Sequence, residues 1–285
     1  MAKLKYGIVG HPVKHSLSPA MQTAAFKEAG LDAEYVLYDI PPGGLADFLG
    51  SLKNIRISGV NVTIPHKIRA KEYLERNGSL DPVAEKLGAV NTIKVSGEDG
   101  SLRGYNTDGP GFYSSLVEDL KFAPEGKRVF ILGAGGAAKA VAMYLGDSPA
   151  RISVFDIDAA RTNSLREHYV KYFDPDRIEV LSDRKRLKDA IGESDLLVNA
   201  TPVGMDDADP SPVDKGLLHG GLYVYDLVYN RPCTRLVKEA GSMNLRAVTG
   251  AGMLLYQGAI AFEIWTGRKA PVEVMRRTLL KSLGN

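Results

Sequence analysis

The chain has 285 residues, 44% of them hydrophobic and 25% charged, with a formal net charge of +2, so a packed protein of two domains is expected rather than a disordered, collagenous or coiled-coil one. Its basic residues are dispersed among acidic ones instead of forming a stripe, which argues against a nucleic-acid partner. The single cysteine, Cys233, permits no internal disulfide, no apolar run reaches the ~20 residues of a membrane helix, and no secretory leader pattern precedes Tyr6, so a cytoplasmic chain without a membrane partner is expected.

In chain order, the pattern predicts a strand over 6–9, an amphipathic helix over 19–29, a strand over 35–40, a helix around 45–52, a buried strand over 59–64, and a further helix and strand ending near Val95. This βαβ rhythm predicts an α/β fold with a largely parallel sheet covered by helices. The stretch 106–111, rich in Gly, Pro and Asn, interrupts the series and marks the domain boundary. A second series opens at Lys127, with strands over 129–132, 152–155, 196–199 and 222–226 and a helix over 136–145. Asp206, Asp207 and Asp209, with Pro210 and Pro212, read as a solvated loop. Two helices over 253–265 and 272–283 close the chain, and pattern alone assigns them to neither domain.

Gly133-Ala134-Gly135-Gly136-Ala137-Ala138 fits G-x-G-x-x-A between an apolar strand and a helix, the setting a dinucleotide site requires. Gly133 permits the tight turn, Gly135 lets backbone approach a pyrophosphate, and Ala138 allows close helix packing. The helix start then offers free N–H groups and a favourable dipole to the phosphates. Asp156 ends the next strand, roughly 20 residues on, where an acid can hydrogen-bond the adenosine ribose hydroxyls. A 2′-phosphate within ~4 Å of that carboxylate would meet ~4 kcal/mol of repulsion per unit charge pair at an effective dielectric of ~20, and Asp158 would add to it. NAD is therefore expected over NADP; the alternatives are that Asp156 caps the following helix and that Arg161 reaches a phosphate.

Reduction of a ketone leaves an alkoxide that must gain a proton, so a donor is needed beside the carbonyl. Lys67 follows the 59–64 strand and the turn residues Pro65 and His66; Asp108 lies in Asn106-Thr107-Asp108-Gly109. Taken singly, Lys67 is better explained as an exposed lysine at a helix start and Asp108 as an N-cap ahead of Gly109-Pro110. His11 and His15 stand four apart across Pro12 with no acidic ligand, so no metal site is expected, His66 reads as support for the Lys67 turn, and Cys233 has no chemistry assigned.

Together these segments resemble the shikimate dehydrogenase family across nearly the whole chain. The resemblance is carried by Gly10-His11-Pro12-Val13-Lys14-His15-Ser16-Leu17-Ser18-Pro19, Gly59-Val60-Asn61-Val62-Thr63-Ile64-Pro65-His66-Lys67, Gly88-Ala89-Val90-Asn91-Thr92, Gly104-Tyr105-Asn106-Thr107-Asp108-Gly109, the glycine turn, Asn199-Ala200-Thr201-Pro202-Val203-Gly204-Met205, and Gly252-Met253-Leu254-Leu255 with Gln257. It implies reversible reduction of 3-dehydroshikimate to shikimate on the way to chorismate and the aromatic amino acids. Lys67 and Asp108 match the catalytic pair, Lys67 as proton donor and Asp108 as its orienting partner and holder of a substrate hydroxyl. Ser16 and Ser18 would bind the substrate carboxylate, with Tyr229 near it unless that tyrosine only packs; Asn61, Thr63, Asn91 and Gln257 would bind ring hydroxyls. Gly133, Ala134, Gly135, Gly136 and Ala137 would hold the dinucleotide phosphates, Asp156 and Arg161 the adenosine, and Thr201, Met205 and Gly250 the region of the nicotinamide.

The resemblance also implies that the closing helices pack back on the first domain. Residues 1–108 with 250–285 would then form the substrate-binding and catalytic domain, and 109–249 a Rossmann domain for NAD(P). Two departures stand out. NADP-specific members carry an Asn-Arg-Thr-like clamp where this chain has Asp156-Ile157-Asp158, so Ile157 replaces the arginine and only Arg161 is kept; Gln22-Thr23 replaces a frequent His-Asn. The first departure reinforces the NAD expectation and admits an NAD-dependent quinate/shikimate dehydrogenase of catabolism as the alternative. An alternative of another class is a non-catalytic dinucleotide-binding regulator, against which retention of both Lys67 and Asp108 argues. A small-molecule partner and a monomer or homodimer complete the expectation.

Overall fold

The computed structural model describes residues 3–97, 99–146 and 148–284; Met1, Ala2 and Asn285, the outermost residues of the expected substrate domain, lie outside them. The chain forms two compact units, one running up to Thr107 and joined by Leu255–Leu283, the other Asp108–Leu254.

The first unit opens with β1 (Leu4–Gly10), α1 (Ser18–Glu28), β2 (Ala33–Asp39), α2 (Leu45–Ser51) and β3 (Ile57–Val62). Alternating apolar strands and helix faces bury Val9, Leu49, Leu52, Val60 and Val62 in one core. The chain continues with α3 (Lys67–Asn77), the two-residue β4 (Ser79–Leu80), α4 (Pro82–Leu87), β5 (Thr92–Val95) and β6 (Leu102–Tyr105). Helix α4 begins where the Asp81 side chain accepts from the Val83 N–H at 2.9 Å with Pro82 in its first turn, and it ends on left-handed Gly88.

The sheet runs β2-β1-β3-β5-β6-β4. Its β2-β1-β3 part is parallel, as the βαβ rhythm predicts, but β5 pairs antiparallel with both β3 and β6. The 96–101 connection is too short for a crossover helix and closes as a hairpin, with Ser96 N–H donating to Ser101 O at 2.9 Å.

The second unit begins with α5 (Asp108–Glu118), then β7 (Arg128–Leu132), α6 (Gly136–Leu145), β8 (Arg151–Phe155), α7 (Ala159–Tyr169), β9 (Ile178–Leu181), α8 (Leu187–Gly192), β10 (Leu196–Asn199), β11 (Tyr223–Asp226), α9 (Arg235–Ser242) and β12 (Ala247–Thr249). All its strand pairs are parallel, in the order β12-β11-β10-β7-β8-β9. This is the doubly wound arrangement whose order reverses between β7 and β10, where such folds bind dinucleotides. Leu196, Leu197 and Val198 are fully buried, as expected for strands covered on both faces.

Helices α10 (Ala251–Thr266) and α11 (Val272–Ser282) close the chain. In the first unit α11 packs on α1, and Trp265 stacks on Tyr6 at 5.2 Å between ring centroids while its indole N–H donates to Ile93 O at 3.0 Å. The family resemblance implied two crossings, near Asp108 and near Gly250. The two compact units change over between Thr107 and Asp108 and between Leu254 and Leu255, in the first turn of α10, and Gly250 N–H donates to Val228 O at 3.0 Å within the second unit. We predict that Trp265→Ala destabilises the protein by about 3–5 kcal/mol, the usual cost of deleting a buried large aromatic, read from denaturant unfolding. A loss below about 1 kcal/mol would mean that this helix is held by other contacts.

Candidate active site

In the first unit, the serine turn leads into α1. Ser16 N–H donates to Val13 O at 3.1 Å, and Ser18 N–H donates to the Ser16 hydroxyl at 3.3 Å. Ser16 is half-buried and Ser18 is buried, both beside the end of β1. The Tyr35 hydroxyl, which also meets Ser18, donates to Asn61 Oδ1 at 2.6 Å. Burial holds the phenol well above its ordinary pKa, so it stays a donor across the working pH range.

Asn61 Nδ2 donates to Thr92 Oγ1 at 3.0 Å and to Asn91 O at 3.3 Å. Asn91 in turn donates from Nδ2 to Thr107 Oγ1 at 3.0 Å and accepts from Thr107 N–H at 2.8 Å through Oδ1. Ser18, Tyr35, Asn61, Thr92, Asn91 and Thr107 are thus one connected polar chain. These bonds engage both Asn61 amide hydrogens, so its remaining capacity toward a ligand is the second lone pair of Oδ1.

Sequence reasoning named Ser18, Asn61 and Asn91 and missed Tyr35, Thr92 and Thr107. The available signal was that buried amides on strands need partners of their own. Tyr35→Phe leaves the Asn61 carbonyl short of a donor in a buried place, so we expect a stability loss of about 1–3 kcal/mol; an unchanged melting curve would contradict that bond's contribution.

Lys67 is half-buried and is the first residue of α3, not a fully exposed surface lysine. The preceding turn is pinned by His66 N–H donating to Thr63 O at 2.9 Å and by the fully buried His66 ring, whose Nε2 donates to Ile40 O at 2.7 Å. Val90 N–H donates to Lys67 O at 3.0 Å, joining this helix start to the segment that carries Asn91. Half-buried Thr63 lies just before the turn, next to exposed Ile64. Gln257 is buried on α10, and the neighbouring Gly258 carbonyl accepts from Gln22 Nε2 at 2.8 Å, so α1 and α10 are coupled close to it.

In the second unit, Asp108 is half-buried at the first position of α5, within the helix rather than at its N-cap. The glycine turn joins β7 to α6. Gly133 has φ +100°, and a Cβ there would come within 2.9 Å of the Ala200 backbone, so only glycine makes this turn. A Cβ at Gly135 or Gly136 would meet nothing within 4 Å, and no side chain caps α6. The exposed first turn at Gly136 and Ala137 therefore presents open N–H groups in a space that a pyrophosphate fits.

Asp156 is half-buried and turned toward this loop. Its Oδ2 accepts from Ala134 N–H at 2.8 Å and its Oδ1 from Asp158 N–H at 2.9 Å. The helix cap is Asp158, which accepts from Ala160 N–H at 3.0 Å and pairs with exposed Arg161 at 3.2 Å. Ile157, between the two acids, is 82% exposed.

Past β10 and β11 lie Thr201, half-buried, Met205 and Tyr229, each 44% exposed, and buried Gly250, where a Cβ would strike Leu227 O at 2.2 Å. The loop 203–209 is more ordered than a solvated acidic loop, since Asp209 Oδ2 accepts from Gly204 N–H at 2.8 Å and Asp206 N–H at 3.1 Å. Those donors hold its carboxyl below the ordinary range. Among the described residues no His, Cys, Asp and Glu group could hold a metal ion, and no helix is long and apolar enough to cross a membrane.

Residues 8–93 match the family described as the shikimate dehydrogenase substrate binding domain, and residues 250–280 the shikimate 5′-dehydrogenase C-terminal domain. A Methanopyrus kandleri protein named shikimate dehydrogenase (NADP(+)) is 44% identical over 280 residues, covering 97% of this chain and 95% of that one. A crystal structure of a shikimate dehydrogenase in complex with NADP+ superposes with a TM-score of 0.89 at 37% identity, covering 99% and 96% of the two chains. A quinate dehydrogenase from Corynebacterium glutamicum in complex with NAD superposes with a TM-score of 0.90 at 28% identity, covering 98% and 99%.

The NADP(+) relatives overturn the expectation of NAD over NADP. The expectation treated Asp156 as a free carboxylate awaiting a ribose. In the fold that carboxylate accepts from Ala134 N–H of the glycine turn and from Asp158 N–H just after β8, so it is engaged with backbone rather than free. With near-complete coverage at 44% identity and a doubly wound second unit beside a substrate-domain match, the chain belongs to the shikimate dehydrogenase family, NAD(P)-dependent oxidoreductases acting on a CH–OH group.

Proposed function

We propose that this chain catalyses the reversible NADP-linked reduction of 3-dehydroshikimate to shikimate. The observation that carries the reading is the connected polar chain from Ser18 through Tyr35, Asn61 and Asn91 to Thr107, a set of neutral donors and acceptors suited to a polyhydroxylated acid. NADPH, when bound, supplies the hydride.

The residues divide the remaining work. Ser16 and Ser18 take the substrate carboxylate, helped by Tyr229; Thr63, Asn91 and Gln257 take ring hydroxyls, with Asn61 offering its carbonyl. Lys67 gives its ammonium proton to the alkoxide oxygen formed at C3, and Asp108 orients Lys67 and holds an adjacent hydroxyl. The α6 N-terminus at Gly133, Ala134, Gly135, Gly136 and Ala137 takes the pyrophosphate, and Arg161, exchanging Asp158 for a stronger anion, takes the 2′-phosphate. Thr201, Met205 and Gly250 border the nicotinamide.

The test is a matrix of initial rates with shikimate and quinate, each with NADP+ and NAD+. Turnover of shikimate with NADP+ at the highest kcat/KM is expected. A higher value for quinate would reassign the substrate, and no turnover with any pair would favour a non-catalytic regulator.

A further inference from the structure

Two polar residues with no place in the reaction sit side by side under the loops of the second unit. Asn199 ends β10 and Asp226 ends β11, as direct partners in the parallel register, and both are 0% exposed. Asn199 Nδ2 donates to Asp226 Oδ1 at 2.8 Å and to Val203 O at 3.1 Å, while its Oδ1 accepts from Thr201 N–H at 3.1 Å and Thr201 Oγ1–H at 2.7 Å. Asp226 Oδ1 also accepts from Val228 N–H at 3.2 Å, and its Oδ2 accepts from the Thr234 hydroxyl at 2.6 Å. Thr234 Oγ1 in turn caps α9 by accepting from Val237 N–H at 3.3 Å. One amide and one carboxylate therefore tie down the 201–203 loop, the turn at 228 and the start of α9.

An apolar pair would seal these strand ends without desolvating a charge, and the partners that Asp226 accepts from, Asn199, Val228 N–H and Thr234, are neutral. Burial raises the Asp226 carboxyl above its ordinary pKa even though Thr234, Val228 and Asn199 all favour the charged form. What the polar pair adds is direction: each bond fixes one named loop atom, which an apolar contact cannot do. The two loops so fixed are those that carry Thr201 and Met205 on one side and Tyr229 on the other.

We propose that Asn199 and Asp226 are positioning residues for the nicotinamide end of the dinucleotide site, setting the 201–205 loop and the 228–229 turn without touching the cofactor. The inference rests on the assignment of Thr201 and Met205 to the cofactor made above.

It is tested with Asn199→Ala, Asp226→Ala and Asp226→Asn by calorimetric NADPH binding to the otherwise intact protein, and by KM and kcat for both reactants. Asn199→Ala should weaken NADPH binding tenfold or more and lower kcat, with the shikimate KM changed less than threefold; Asp226→Ala should weaken NADPH binding as much and, because it also frees the turn before Tyr229, raise the shikimate KM. Asp226→Asn should recover most of the loss, because its carbonyl can still accept from Asn199 and Val228 while its amide donates to the Thr234 oxygen. If Asp226→Ala fails to fold, Asn199→Ala decides by the same criterion. Wild-type NADPH affinity in the alanine variants, or a shikimate KM that rises in Asn199→Ala as much as the NADPH Kd, overturns the proposal. Thr201→Ala separates the two levels: if it leaves NADPH binding unchanged, the cofactor assignment itself fails, whereas weakened binding in Thr201→Ala alone sinks only the positioning role.

Discussion

Lys67→Ala is expected to lower kcat by ~10²-fold or more while the KM for shikimate changes little, the signature of losing an interaction made in the transition state. The side chain starts α3, where His66 is pinned from both its backbone and its ring and where Val90 holds the Lys67 carbonyl. The proposed proton donor is thus mounted on a turn fixed by several bonds, so losing the ammonium leaves the surrounding polar chain in place. Stopped-flow and steady-state rates with NADPH check this. Turnover equal to wild type removes Lys67 from the reaction, and a rise in KM with unchanged kcat makes it a binding residue instead.

Gly133→Val should abolish most dinucleotide binding and also destabilise the second unit by about 2–5 kcal/mol, from a β-branched residue forced to positive φ together with overpacking. The relevant geometry is the φ of +100° and the 2.9 Å approach to the Ala200 backbone, which cannot withdraw because Ala200 N–H is bonded to Leu132 O at 2.8 Å. At roughly 2–4 °C per kcal/mol for a unit of this size, a fall in Tm of about 10 °C is expected, with an NADPH Kd raised more than tenfold. A variant that melts within about 2 °C of wild type and binds NADPH normally would show that the turn relaxes.

Much of the site was legible because its residues sit in short runs whose local geometry is dictated by neighbours in sequence. The glycine turn between an apolar strand and a helix is such a run, and so are the serine turn ahead of Pro19 and Lys67 after Pro65 and His66. Asp156 was legible at the end of a strand but its engagement was not, because its partners, the N–H groups of Ala134 and Asp158, include one from a distant turn. Tyr35, Thr107 and Asp226 passed unnoticed for the same reason: each acquires meaning from a residue on another strand or loop.

The amino-acid order by itself determined the helix and strand alternation, the place of the glycine turn and the residues proposed for a polyhydroxy acid, since periodicity and turn chemistry are local properties. Only the tertiary structure decided that β5 and β6 run antiparallel, that the chain divides within the first turn of α10, that Asp156 accepts from the glycine turn, and that Asn199 and Asp226 meet. Each of these depends on which strand ends lie side by side, and strand neighbours are chosen by burial of the whole sheet rather than by any single segment.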